Sequence, residues 1–325
     1  MDRRGPGLLL RDLQRGGNDQ IRAVIRVLVA LDADLLLLTA FDYDLGAEAL
    51  DAFAGLLGAA GRPYPHRIAL RPNTGIPTGF DLDGDGRLGG PGDAQGFGSF
   101  PGQNGMVILS RLPLVPDGVV DLSALLWRDL PRGIPPQLNP DLSATLRLST
   151  SGHWIVPVLL PDGRQLSLLA WYAAPPVFGG PDEFNARRNH DEAALWLRLI
   201  DGALPVPPPA PPFLLIGDAN LDPADGDGRK GALLDLLAHP ALHDPQPRGS
   251  HGRREPGHQG DPALDTALYE GEGAPGGLRV DYILPSSDLR IAGAGVLWPS
   301  EADDLAGELE TASRHRPVWV DLALP

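Results

Sequence analysis

Two short apolar runs constrain this chain more than any other feature. "DLLLLTAFDYD" holds Leu35 to Leu38 unbroken, a run typical of a strand buried on both faces. "FLLIGDANLDP" is a second buried strand that ends in a polar loop at Asp218 and Asn220. Around them lie amphipathic segments. Ile21, Val24, Ile25, Leu28 and Leu31 recur at helical spacing behind Asn18, a plausible N-cap. "GAEALDAFAGLLGAAG" places Leu50, Phe53 and Leu57 on one side of a second helix, and "NARRNHDEAALWLRLIDGAL" reads as a third.

The other strands are "RIAL", "GMVILSRLPL", and three within "SATLRLSTSGHWIVPVLLPDGRQLSLLAWYAAPP", with "PDGR" as the turn between the last two. "LRVDYILPS", "LRIAGAGVLWP" and "RPVWVDLAL" close the chain. A Gly/Pro/Asp-rich loop runs over residues 71–105, a length at which a loop inside a domain is usually functional or disordered. Strands and helices mix throughout, with no fixed-period repeat and no clear boundary, so one α/β domain over residues 1–325 is expected.

Charge and cysteine content narrow the function. A net charge of −15 argues against broad nucleic-acid affinity, which needs clustered Lys and Arg. With Cys 0, disulfides and thiolate metal sites are excluded. No apolar run reaches membrane-spanning length. "MDRRGPGLLLRDLQRGG" has basic residues but no apolar core of a signal peptide. As written the chain reads as cytoplasmic, or as exported if its true start lies upstream.

Chemistry-bearing residues cluster in three places. Asp218 and Asn220 stand two apart after a buried strand, and on an extended chain they point the same way. Such a pair can take a proton from water and donate to a phosphate oxygen. Asp281 lies on the strand of "RVDYILP", and His315 at the start of a strand in "SRHRPVWV". An Asp–His pair brought together from two strands can orient and charge an imidazole. Taken singly, each motif also fits a turn, a solvent-facing strand residue or a surface histidine.

Together and in this order, "GMVILSRLPL", "FLLIGDANLDP", "LRVDYILPS" and "SRHRPVWVDL" resemble successive blocks of the endonuclease/exonuclease/phosphatase superfamily. "NTGIPTGFDLDGDG", "GFGSFPGQNGM" and "APPVFGGPDEFNARRNHDEAALW" resemble a bacterial branch of unassigned substrate. The resemblance implies a four-layer α/β/β/α sandwich, two mixed sheets face to face with helices outside. It also implies hydrolysis of phosphomonoesters or phosphodiesters with a divalent cation, usually Mg2+. Asp218, Asn220, Asp281 and His315 then fall on catalytic positions, and Tyr172 on a position that is usually His.

The departures lie on the metal side. The family's first strand ends in an Asn, and this chain is read as starting after that strand. The metal-binding Glu of the next strand is replaced by Ala40, and the final Ser-Asp-His reads Ser313, Arg314, His315. Ala cannot bind a hard cation. Arg314 could meet phosphate directly as a fixed cation, or simply face solvent. Asp42, two residues past Ala40, is a weaker candidate for a shifted cation. Arg187, in "RRNHDE", could hold a phosphate, or could form local pairs on a charged helix turn.

Asp81, Asp83 and Asp85 with Gly86 match the front half of a Ca2+ loop, although Gly92 stands where its last ligand would be. Three readings follow: a phosphoester hydrolase weakened or silenced by its metal side; a pseudoenzyme that binds a phosphorylated ligand or a protein partner; and a calcium-stabilised interaction scaffold. The partner expected first is a phosphoester small molecule or nucleotide-like substrate.

Overall fold

A computed structural model describes residues 1–323. In chain order the elements begin with α1 (Leu8–Arg15), α2 (Asp19–Leu31), β1 (Leu35–Phe41), α3 (Glu48–Ala59), β2 (His66–Ile68), β3 (Gly105–Ser110) and β4 (Val120–Asp121). Next come α4 (Pro140–Ser143), β5 (Gly152–Leu159), β6 (Gln165–Tyr172), α5 (Phe184–Ile200), β7 (Phe213–Asp218) and α6 (Gly231–Leu237). The chain closes with β8 (Ala267–Tyr269), β9 (Gly276–Leu278), β10 (Asp281–Pro285), β11 (Arg290–Val296), α7 (Ala306–Ala312) and β12 (Val318–Ala323). The fold is mixed α/β. Asn18 caps α2 as its sequence suggested, its side chain accepting from the Ile21 N–H at 3.1 Å.

One sheet has the order β1-β3-β2, and a larger one has β10-β7-β6-β5-β4, in which only β6 and β7 run parallel. Side-chain alternation explains how they pack. Met106 and Ile108 of β3 join Trp154 and Val156 of β5 and Leu214 and Ile216 of β7 in one buried cluster between the sheets. Val107 and Leu109, on the opposite face of β3, pack with Leu9, Leu28, Phe53 and Leu57 of α1 to α3. On the far face of the larger sheet, Trp171 and Leu215 meet Trp196 and Leu199 of α5 and Leu236 of α6. Trp154, Trp171 and Trp196 are all at most 1% exposed. Burying each is worth roughly 4–6 kcal/mol by area, so they anchor both sides of the larger sheet.

Two expectations are corrected. "SATLRLS" forms no strand; it leaves α4 and passes through turns to β5. A side chain replaces the missing ladder: Arg188, buried on α5, donates to the carbonyls of Arg147, Leu148 and Ser149. "LRVDYILPS" is split, with β9 paired to β8 and β10 to β7. Residues 71–104 are irregular apart from a 3-10 turn at Pro91–Asp93. This loop is nonetheless fixed. The Asn73 amide donates to the carbonyls of Ser123 and Ser149, both at 2.7 Å. Gly75 has φ +73, and a Cβ there would lie 1.9 Å from the Phe100 carbonyl oxygen.

Among the described residues β1 pairs with β3 alone and β12 with β11 alone. The other edges of β1 and β12 line one large cleft of about 2510 Å³. The ends of β6, β7 and β10 line the same cleft, and it is there that the chemistry-bearing side chains collect.

Candidate active site

Strand register sets up the site. Asp218, the last residue of β7, is paired with Tyr172 of β6 on one side and Asp281 of β10 on the other. Residues directly opposite share a sheet face, so all three point toward the space between the sheets. Asp218 is 1% exposed. Burial and then the negative charge of Asp281 push its carboxyl up to about 7, against the opposing influence of His315 and the Asn220 N–H. Burial and the Asp218 charge likewise raise the Tyr172 phenol, which therefore stays neutral.

Asn220 follows in a left-handed turn with φ 48. Its N–H donates to Asp218 Oδ1 at 2.7 Å, and its side-chain amide donates to the Ala173 carbonyl at 2.9 Å. Asn220 therefore holds Asp218 and closes the β7 turn.

His315 reaches the site from the segment before β12, through a bridge to Ala267. Its Nδ1 lies 2.9 Å from Asp281 Oδ2, which makes Nδ1–H the donor and leaves Nε2 for the cleft. Burial alone would lower this imidazole. The charges of Asp281 and Asp218, with the hydrogen bond to Asp281, outweigh it and raise the group to about 9. Asp281 is held in turn by Thr266, whose hydroxyl donates to Oδ2 at 2.8 Å and accepts from the N–H groups of Val280 and Asp281. Sequence reasoning missed Thr266. "DTALYE" gives little to find it by, since a Thr at a strand start is usually structural.

The side of the cleft where a cation was expected looks different. Ala40 lines the cleft near the end of β1, where a register shift occurs between Leu38 and Phe41. It has φ 54, and its carbonyl accepts from the amino group of Met1. Asp42 is buried and its carboxylate accepts from the N–H groups of Arg3 (2.8 Å) and Asn104 (3.0 Å), so it fixes the backbone. Arg314 is exposed on the cleft wall, with its guanidinium 5.6 Å from the centre of the Tyr269 ring. Among the described residues that guanidinium forms no ion pair. Arg187 donates to the carbonyls of Asp182 (2.9 Å) and Ile134 (3.4 Å) and does not line the cleft.

Its neighbours on α5 are structural as well. Glu192 is fully buried and accepts from the N–H groups of Thr150 (2.5 Å) and Ala174 (2.7 Å). Asp191 accepts from Trp127 Nε1 and the Ile134 N–H, both at 2.6 Å. The charged turn that the sequence suggested is a buried polar seam.

Among the described residues, two groups have ligand atoms close enough to share a cation, all within 4.8 Å: Asp218, Asp281 and His315 in the cleft, and Asp81, Asp83 and Asp85 on the surface. In the first, Asp281 is engaged by Thr266 and His315, and Arg314 adds positive charge nearby. This donor set suits a hard dication poorly, because Ala40 and Arg314 on the same cleft add no oxygen ligand to it. In the second, Asp81 accepts from the N–H groups of Gly84 and Gly86, which curls the loop. Asp93, next to Gly92, turns inward and accepts from the N–H groups of Leu82 and Gly90.

The sequence model described as Endonuclease/Exonuclease/phosphatase family matches residues 12–315. No curated protein matches. Among solved structures, an endonuclease/exonuclease/phosphatase from Beutenbergia cavernae superposes with TM-score 0.56 at 20% identity, over 94% of this chain and 66% of that one. One from Bacteroides vulgatus gives TM-score 0.54 at 11% identity, over 100% and 96%. A 3′ phosphatase from Neisseria bound to product DNA hairpin gives 0.51 at 16% identity, over 94% and 95%. At these identities the likeness concerns the fold.

Proposed function

Because this chain belongs to the endonuclease/exonuclease/phosphatase family, we propose that it is a phosphoester hydrolase whose metal side is reduced and whose turnover is correspondingly low. One observation carries the reading. The Asp281–His315 pair, at 2.9 Å, faces a buried Asp218, while Ala40 and Arg314 stand on the same cleft. The family is generally metal-dependent, and a bound dication would supply Lewis-acid stabilisation of the phosphoryl oxygens, worth several kcal/mol.

What remains in this chain is proton handling and positive charge. A water in the cleft attacks phosphorus and gives its proton to Asp218, whose raised carboxyl suits a base near neutral pH. His315 presents Nε2–H to the ester. As the bond from phosphorus to the leaving oxygen breaks, that oxygen takes the Nε2 proton. Asp281 holds the imidazolium until then. Arg314 balances charge on the non-bridging oxygens. Thr266 and Asn220 fix the two carboxylates.

The pseudoenzyme reading keeps the same ligand contacts and drops the turnover. For the exposed trio Asp81, Asp83 and Asp85 we assign Ca2+, the ion that suits an all-oxygen surface loop, as a stabiliser of the long loop rather than a catalytic group. The test is hydrolysis of an aryl phosphodiester and an aryl phosphomonoester with Mg2+, Mn2+ or chelator, with Asp218→Ala as control. Slow turnover lost in Asp218→Ala supports the hydrolase. Turnover equal to that control moves the assignment to the pseudoenzyme.

A further inference from the structure

Tyr269 occupies a place in the cleft that neither the sequence motifs nor the proton chemistry above accounts for. It ends β8, whose register with β9 pairs Tyr269 with Gly276. The segment around it frames the pair of catalytic candidates: Thr266 holds Asp281, Ala267 bridges His315, and the Leu268 N–H donates to the Arg314 carbonyl at 2.9 Å. The Tyr269 ring meets the His315 ring edge-on, with centroids 6.2 Å apart and planes at 77°. The Arg314 guanidinium lies 5.6 Å from the same ring centre. The Tyr269 hydroxyl has no hydrogen-bond partner among the described residues.

Resting on the reading of Arg314 as a phosphate cation, we infer that Tyr269 is the seat of an anion-binding pair: its ring holds Arg314 toward the cleft and its free hydroxyl donates to the same phosphate. A long arginine on an exposed turn would otherwise sample many rotamers, and ordering it would oppose binding. Resting on an aromatic face restricts that freedom while leaving the N–H fork open to an anion. Burial and the charges of Asp218 and Asp281 raise the phenol well above its ordinary range, so it remains a donor. The ligand is a single phosphoryl group, since one guanidinium and one hydroxyl match the oxygens of one phosphate.

Calorimetric titration with inorganic phosphate, in chelated buffer, tests this on the full chain. Arg314→Ala should weaken phosphate at least tenfold, and Tyr269→Leu nearly as much. Tyr269→Phe, which keeps the ring and loses the hydroxyl, should fall between Tyr269→Leu and the native protein. The double variant Tyr269→Leu/Arg314→Ala should bind more weakly than Arg314→Ala by no more than the loss seen in Tyr269→Phe, because the ring acts through the guanidinium and only the hydroxyl acts alone. Thermal melts identify any variant that fails to fold, and Tyr269→Phe carries the test if Tyr269→Leu does not. If Tyr269→Leu and Tyr269→Phe bind like the native protein while Arg314→Ala does not, the Tyr269 inference is overturned and the Arg314 reading stands. If Arg314→Ala also binds normally, or the native protein binds no phosphate, both are overturned.

Discussion

Replacing Asp281 with Asn isolates the interaction on which the proposed chemistry depends. The substitution keeps the shape and removes the charge 2.9 Å from His315 Nδ1. His315 is raised from 6.5 to about 9, and one unit corresponds to about 1.4 kcal/mol, so the protonated form gains roughly 3–4 kcal/mol net of burial. An ion pair in contact at an effective dielectric near 20 supplies about 4 kcal/mol, enough to account for the net rise. The His315 side chain is 27% exposed, so part of that field is screened. Asp281→Asn should therefore bring His315 down by about 2 units, to near neutrality. Ring-nitrogen NMR titration in chelated buffer reads this directly.

Stability gives a second readout of the same pair. A raised His binds its proton more tightly folded than unfolded. Its contribution is complete below pH 6.5 and lost as pH rises through about 9. Urea melts of the native protein should weaken along that limb, and those of Asp281→Asn should not. If His315 titrates near 9 in both proteins, the carboxylate is not the cause. If it titrates near 6.5 in the native protein, the pair does not form.

Rebuilding the metal side tests the other half of the argument. Ala40→Glu/Arg314→Asp should raise Mg2+ affinity by calorimetry and lift Mg2+-dependent turnover of an aryl phosphodiester by roughly 10²-fold, as restored Lewis-acid stabilisation implies. The left-handed φ of 54 is already carried by Ala40, so Glu there adds little backbone strain. Unchanged Mg2+ binding would refute the account of what the site has lost. At the surface loop, millimolar Ca2+ added to chelated protein should raise Tm by a few degrees, and Asp81→Asn should abolish the rise. A Tm indifferent to Ca2+ would remove that assignment.

The sequence revealed what depends on local pattern. Leu35 to Leu38 and Phe213 to Ile216 are strands as their unbroken apolar runs suggest, although only the second is buried throughout; Leu35, Leu37 and Leu38 stay half-buried along the cleft. Asn18 caps α2 by a bond three residues long. Asp218 and Asp281 stand out in the sequence as carboxylates at the ends of strands, and the structure brings His315, from the segment before β12, within reach of both. The failures are tertiary. Arg188 and Glu192 look like an exposed i, i+4 pair, and nothing local shows that each is engaged by backbone groups from distant loops. Residues 144–150 look like a strand, and their carbonyls need no ladder because Arg188, Asn73, Gln95 and the Trp127 N–H, all distant in sequence, donate to them. Thr266 and Tyr269 matter through Asp281 and Arg314, which are distant in sequence, and no spacing rule links them.

If the metal side is reduced as proposed, charge balance gives the site that remains a purpose. Asp218 and Asp281 bring two potential negative charges, and His315 neutralises one by contact. The Asp218 carboxyl, raised to about 7 by burial and by Asp281, is only partly ionised near neutrality. On the proposed reading a dication would not be required to offset the carboxylates. A metal ion in a full site has two roles: it cancels the protein's own negative charge, and it stabilises charge developing on the phosphoryl oxygens. His315 takes over much of the first. Arg314 can take over part of the second, as a single charge with directed N–H groups in place of a double charge bound directly to oxygen. The exchange favours holding a phosphate over breaking its ester. The kcat of this protein should therefore fall further below that of metal-complete relatives than its phosphate affinity does.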